Sequence, residues 1–254
     1  CPRKIYILCF KDSFQAVHVR SEHIEGNSIE KQIKESGHKS ILVVCAHSDD
    51  QILGPGGTLA KLSSEGAKIV TVIMSYGELT PAWIKHKYTI ETRVNEAEKA
   101  DKIVGGNGVI FLGLKEGNFI KEVTEKEVYP RLRKIIKREQ PTLLFTHTRE
   151  DPHKDHTDTL RIVKDLVAEL DANERPGVYS FGIWNPFQLH RRAPHLVVDI
   201  SRTFKKKLKA LKCFQSQRLV ILLLTPGVII RAKLNGFLRG ISYAEVFRRV
   251  NIDE

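Results

Sequence analysis

Cysteine is scarce in this 254-residue chain: Cys1, Cys9, Cys45 and Cys213 lie far apart and form no C-x-x-C pair. That spacing excludes a zinc ribbon and a disulfide scaffold, so plain packing in a reducing, cytoplasmic compartment is expected. Long apolar runs are also missing. The longest, Ile41 to Ala46 and Leu219 to Leu224, have strand length, against the roughly 18 to 20 residues of a membrane-crossing helix, so no membrane span is expected. The first residues mix Lys4 and Lys11 with a short apolar stretch and lack a small-residue cleavage site, which argues against a secretory signal. Internal repeats and low-complexity tracts are absent.

Gly54-Pro55-Gly56-Gly57 precedes an expected helix, where backbone amides could nest an anion. Neither G-x-G-x-x-G nor G-K-[ST] is present, which disfavours nucleotide binding there. Acidic residues are short in one region only. The net charge is +11, and residues 201–254 hold twelve Lys/Arg against Glu245, Asp253 and Glu254, so this segment carries nine of the eleven excess charges. A basic segment of this kind reads as a solvated face or a subunit contact in a homo-oligomer; nucleic acid is disfavoured as a partner.

What is present is a composition of 41% hydrophobic and 28% charged residues, enough to bury a sizeable core. Apolar runs alternate with helical stretches, the pattern of parallel strands joined by crossover helices. Strands are expected at Ser40 to Ala46, Lys68 to Met74, Val109 to Leu112 and Thr142 to Thr146. Helices are expected at Thr58 to Glu65, Thr92 to Val104, Glu125 to Arg138 and Asp155 to Glu169. Beyond Pro176 the pattern loosens into Val178 to Ile183, Leu196 to Ile200 and a lysine-rich helix from Thr203 to Gln215. Leu219 to Thr225 reads as a strand or a buried helical turn, stopped by Pro226-Gly227. The expected fold is α/β, a Rossmann-like layered sandwich with a mostly parallel central sheet and helices on both faces. Residues 1–38 read as an N-terminal extension, 39–200 as the α/β core and 201–254 as a basic C-terminal segment packed on it.

Two clusters fall where a strand gives way to a loop before a helix, the edge at which open α/β sheets place their sites. The first is Ala46-His47-Ser48-Asp49-Asp50-Gln51 and the second Asp151-Pro152-His153-Lys154-Asp155-His156. His47, Asp50 and His156 together offer two imidazole nitrogens and a carboxylate oxygen, a set suited to Zn²⁺ with one position open to water. Asp49, adjacent to Asp50, cannot ligate in the same direction and is free to accept a proton. His153, three residues before His156, could polarise a carbonyl or stabilise an oxyanion. Spacing alone leaves {His47, Asp50, His153} as defensible as {His47, Asp50, His156}. It also leaves Asp151 or Asp155 as a plain helix cap.

The succession AHSDDQ, GGTLA, SYGE, R-x-x-E-x-x-x-A and D-P-H-K-D-H resembles the motifs of the PIG-L/LmbE-type zinc-dependent N-acetyl-sugar deacetylases. The resemblance covers roughly Ser40 to Val167 and continues more weakly through Trp184-Asn185-Pro186-Phe187 and Val197 to Ser201 to the Ser216-Gln217 pair. It implies one zinc per chain held by His47, Asp50 and His156, with Asp49 as general base and His153 at the oxyanion. Asp155 would orient a neighbouring imidazole, and Arg93 and Glu116 would touch the substrate, an N-acetylglucosamine-type sugar or glycoconjugate. Ser48 replaces the family's usual proline, Gln51 its usual glutamate, and Glu116 a common aspartate. Rival readings are a zinc hydrolase acting on another amide or a phosphoester, and a basic binding protein with a vestigial metal site. His86, His190 and His195 are expected to be surface or packing residues, with His190 able to line a cleft near Trp184.

Overall fold

In the computed structural model, residues 40–77, 86–184 and 195–253 are described. The expected extension at 1–38, with Cys1 and Cys9, lies outside them, as do Asn185, Pro186, Phe187, His190 and the side chains of His86 and His195.

Strand β1 (Ser40–Cys45) is buried along its whole length. Ile41, Val43 and Cys45 enter one core cluster and Leu42 and Val44 the other, on the opposite face of the sheet. A strand covered on both faces must be apolar at every position, which is why SILVVC shows no alternation. β2 (Lys68–Ile73) and β4 (Leu143–His147) flank β1 in parallel, and β3 (Val109–Phe111) continues outward from β2. The seven strands run in the order β3-β2-β1-β4-β5-β7-β6, with β5 at Gly177–Phe181, β6 at His195–Asp199 and β7 at Ala244–Arg249. From β1 the chain winds first toward β3 and then returns to the other side through β4. Between β1 and β4 the winding direction therefore reverses, and the loops after these two strands open a crevice at one sheet edge.

The helices are α1 (Asp50–Leu53), α2 (Gly56–Ser64), α3 (His86–Val104), α4 (Phe119–Glu125), α5 (Val128–Glu139), α6 (Lys154–Ala168), α7 (Phe204–Leu211) and α8 (Arg218–Phe237). On α6 the stripe of Leu160, Val163 and Val167, extended by Leu170, is buried as its spacing predicts.

Two expectations need correction, and one helix is longer than the apolar runs of the sequence suggest. The stretch read as a strand or turn at Leu219 to Thr225 is the first part of α8, which runs through Pro226. Proline's φ is compatible with helix, so the Pro-Gly pair costs hydrogen bonding without ending the element. Residues Gln215–Phe237 also form one helix that is long and apolar enough, by length and composition, to cross a membrane. Counting unbroken apolar runs misses it because Thr225, Pro226 and Gly227, and then Arg231 and Lys233, interrupt the run without interrupting the helix. Finally, β7 has no counterpart among the expected strands, and it inserts antiparallel between β5 and β6, so residues 201–254 contribute a strand to the core sheet.

The glycine loop before α2 is occupied by the protein's own carboxylate. Glu245 of β7 accepts from Gly57 N at 3.0 Å, Thr58 N at 2.8 Å and Thr58 Oγ1 at 2.6 Å. A Cβ on Gly57 would meet Ile200 Cδ1 at 2.8 Å, so glycine is what permits this approach. The buried Lys207 closes the arrangement, donating to Glu245 Oε1 at 2.6 Å and to the carbonyls of Leu53 and Gly54. Losing one partner of such a pair costs about 3–5 kcal/mol, because the other is left buried and unpaired. This pair thus ties the helix after the first cluster to the C-terminal strand.

Candidate metal centre

The β1–β4 pairing brings the two sequence clusters together. His47, Ser48 and Asp49 follow β1 and Asp50 opens α1, while His147 ends β4 and His156 lies in the first turn of α6. His47 Nδ1 stands 3.5 Å from Asp50 Oδ2, His156 Nε2 3.5 Å from Asp50 Oδ1, and His156 Nε2 3.4 Å from His47 Nδ1. These separations exceed ordinary N–H···O distances of about 2.7–3.2 Å. They match the edge of a tetrahedron whose ligand bonds are about 2.0–2.1 Å, which sets ligand atoms about 3.3–3.4 Å apart. The donor chemistry and the spacing both fit a zinc-like cation.

Each imidazole is backed by a carboxylate. His47 Nε2 lies 3.3 Å from Asp155 Oδ2, and His156 Nδ1 lies 3.0 Å from Asp151 Oδ1. Such partners fix the tautomer that turns the opposite nitrogen's lone pair toward a metal. Asp155 is itself held by Gly117 N, which donates to Oδ1 at 2.8 Å. Asp151 accepts from His153 N, Ile183 N and Trp184 N. The cap of α6 is neither aspartate: the His153 side chain fills it, Nδ1 accepting from Asp155 N at 3.2 Å. That bond leaves the Nε2 of a neutral His153 as the protonated nitrogen.

Burial and charged neighbours shift these groups in different directions. Burial disfavours the His47 cation, yet hydrogen bonds to Asp155 and Asp50 and the nearby charges of Asp50 and Glu116 outweigh it and lift its pKa to about 10. Burial would raise Asp50, but the neighbouring His156 and His147 hold it well below the usual carboxylate range. Asp49 behaves oppositely: burial and the adjacent Asp50 push it up to about 6. Two adjacent carboxylates are thus driven apart in proton affinity, the pattern that separates a ligand from a proton acceptor.

Three groups of side chains among the described residues could hold a metal: His47, Asp50 and His156; His47, His153 and Asp155; His147, Asp151 and His156. An open pocket favours the first. Its lining includes His47, Asp49, Asp50, His153 and His156, but neither His147 nor Asp151 nor Asp155. His147 is fully buried behind the pocket, its ring stacked 3.9 Å from that of His156 and its Nε2 accepting from Ala46 N at 3.0 Å. Burial and the neighbouring His156 lower its pKa to about 4.

Arg93 and Glu116 also line the pocket, on the wall reached from α3 and from the loop after β3. Arg93 crosses Gly77, whose φ of +76° and missing side chain leave room for the guanidinium: a Cβ there would meet Arg93 Nη1 at 2.4 Å. Glu116 Oε1 stands 3.7 Å from His47 Nε2. Trp184, Val220 and Leu224 complete an apolar rim.

Sequence reasoning missed His147 and the role of Gln217. His147 closes a strand at the crevice edge, as His47 follows one, and that shared position was an available signal. Gln217 reaches the first cluster from the start of α8: Ser48 Oγ donates to its Oε1 at 3.2 Å, and its Nε2 donates to Asp49 Oδ2 at 3.5 Å. The serine that replaces proline thus anchors a side chain touching Asp49. Gln51 is wholly buried.

Residues 42–167 match the family model for PIG-L, described as GlcNAc-PI de-N-acetylase. The chain is 28% identical over 196 residues to a 4-oxalmesaconate hydratase of Pseudomonas putida, covering 70% of this chain and 74% of that protein. It is 23% identical over 185 residues to a probable N-acetyl-alpha-D-glucosaminyl L-malate deacetylase 2 of Bacillus anthracis, covering 70% and 81%. Among solved structures, GalB, the 4-carboxy-2-hydroxymuconate hydratase of Pseudomonas putida, superposes with a TM-score of 0.70 at 25% identity over 84% of this chain and 96% of that one.

Proposed function

Because this chain belongs to the PIG-L family through the domain at residues 42–167, we propose that it is a zinc-dependent hydrolase that removes the acetyl group from an N-acetylglucosamine-type sugar. The observation that carries this reading is the trio His47, Asp50 and His156, spaced at 3.4–3.5 Å on the wall of an open pocket with Asp49 beside it. Zinc bound there supplies Lewis acidity, which brings the pKa of water near neutrality and polarises a carbonyl.

The remaining steps belong to the chain's own side chains. Asp49 takes the proton from the attacking water and returns it to the departing nitrogen, so that amide and water become acetate and a free amine. The neutral His153 directs its Nε2–H at the carbonyl oxygen as negative charge grows there. Arg93 and Glu116 hold polar groups of the sugar, and the rim of Trp184, Val220 and Leu224 narrows access of bulk water to the reacting centre.

The assay that tests this is acetate release from a panel of N-acetylglucosamine derivatives by the full chain loaded with one equivalent of Zn²⁺. Acetate and free amine should appear in equal amounts. The likeness to a hydratase supports a second reading, addition of water across a carbon–carbon double bond conjugated to a carboxylate. Hydration of an unsaturated dicarboxylate without acetate from any sugar would replace the first reading by the second.

Asp155→Asn tests the support of His47. With Gly117 N holding the amide oxygen, the NH₂ group introduced by the substitution faces His47 Nε2, which must then accept, leaving the proton on Nδ1. Zinc affinity should weaken about 10- to 100-fold, as losses of such supporting carboxylates do, and activity should recover as zinc is raised. Competition with a chromogenic chelator reads the affinity, and a zinc titration of the rate reads the recovery.

A further inference from the structure

Helix α8 carries a row of apolar residues at intervals of three and four: Leu219, Leu223, Pro226, Ile230, Leu234 and Phe237. That spacing places them on one face. The face is turned to solvent among the described residues, with Leu219 83%, Leu223 71% and Phe237 77% exposed. The other face is anchored, Ile221, Val228, Ala232 and Gly236 being buried. An apolar row of this length on the outside of a folded domain marks an interaction surface.

The charge of the chain segment that carries it restricts what can cover it. Residues 201–244 contain ten Lys/Arg and no Asp or Glu. Lys207 and Arg231 are consumed inside the fold, where they bond Glu245 and the Gly182 carbonyl. Lys205, Lys206, Lys209 and Lys212 are exposed on α7 and just beyond it, and Arg218 and Lys233 on α8 itself. A second copy seated on this face would set cations against cations with no acid from this segment between them. An anionic leaflet is complementary to both features, its acyl boundary to the apolar row and its headgroups to the lysines and arginines.

The helix cannot leave the domain to cross a bilayer. At its start Gln217 bonds Ser48 and Asp49. Near its end Gly236 packs so closely that a Cβ there would meet Ile241 O at 2.7 Å, and the chain then enters β7 inside the sheet. Only the outer face is available.

We propose that α8 seats this protein on an anionic phospholipid surface, lying in the headgroup boundary with the row from Leu219 to Phe237 inserted. The surface stands independently of the reaction assigned above. It has one consequence for the site: Val220 and Leu224 of the same helix line the pocket, so seating brings the pocket rim beside the headgroups.

The test is co-sedimentation of the full chain with phosphatidylcholine vesicles containing about 30 mol% phosphatidylglycerol, against phosphatidylcholine alone. Binding should be at least about tenfold stronger to the anionic vesicles and should fall as salt is raised. The triple variant Leu223→Glu, Ile230→Glu, Phe237→Glu should lose binding by at least about tenfold while keeping its circular dichroism and its turnover of a soluble substrate, since all three side chains are exposed. Absence of binding to the anionic vesicles overturns the proposal, as does undiminished binding by the triple variant. Sedimentation of the native chain as a stable dimer that the triple variant splits into monomers also overturns it, and assigns the face to a second copy.

Discussion

Replacing Asp50 by alanine is expected to strip zinc from the protein, from about one ion per chain to a trace after gel filtration, and to reduce acetate release to background. Asp50 is the decisive position because it occurs in only one of the three groups that could hold a metal among the described residues, whereas His47 and His156 each occur in two. Its two oxygens face different histidines at 3.5 Å, whereas Asp151 and Asp155 are turned to the outer nitrogens of the same imidazoles. Asp50 is also the acceptor for His47 N at 2.8 Å, so the variant loosens the loop as well as the ligand set. Metal analysis separates the two effects when paired with a thermal melt. A folded Asp50→Ala protein that keeps a full equivalent of zinc would place the ion with His147, Asp151 and His156 or with His47, His153 and Asp155 and would end the assignment made here.

The second large effect is expected at the adjacent residue, with the opposite dissociation of metal from turnover. Asp49→Asn should retain zinc at the native level and lose about 10²- to 10⁴-fold in kcat, the range that a positioned proton acceptor contributes. The side chains are nearly identical in shape, and the amide can keep the contact with Gln217. What it cannot do is take a proton. The contrast rests on how differently the two carboxylates are held: His156 and His147 keep Asp50 ionised, while burial and Asp50 itself push Asp49 up to about 6. Comparison of zinc stoichiometry and initial rates in the two variants checks both roles in one experiment. Native turnover in Asp49→Asn would require another base, and His153 would be the next candidate to replace.

Where the site is legible in advance, the reason is local. A fully apolar strand followed by His47-Ser48-Asp49-Asp50, and a second followed by Asp151 to His156, carry their chemistry in short contiguous stretches beside elements whose periodicity is strong. What is not legible lies in contacts between distant segments. Along the chain Asp151 reads as a helix cap as readily as anything else; in the fold it stands against His156, and His153 takes the cap instead. Glu245 in the glycine loop and Gln217 beside Asp49 are separated from their partners by more than 160 residues, and no spacing rule reaches across that interval.

The amino-acid order alone determined the alternating α/β layering, the two strand-end clusters and the kinds of ligand they offer, because hydrophobic period and side-chain chemistry are properties of neighbours along the chain. The tertiary structure alone decided that β1 and β4 are adjacent, which puts His47, Asp50 and His156 within a metal's reach, and that β7 enters the sheet from the far end of the chain. It alone decided, too, which side of α8 is buried. A helix apolar around most of its circumference has no preferred face until a core chooses one, and the face left outside is the one offered to a lipid surface.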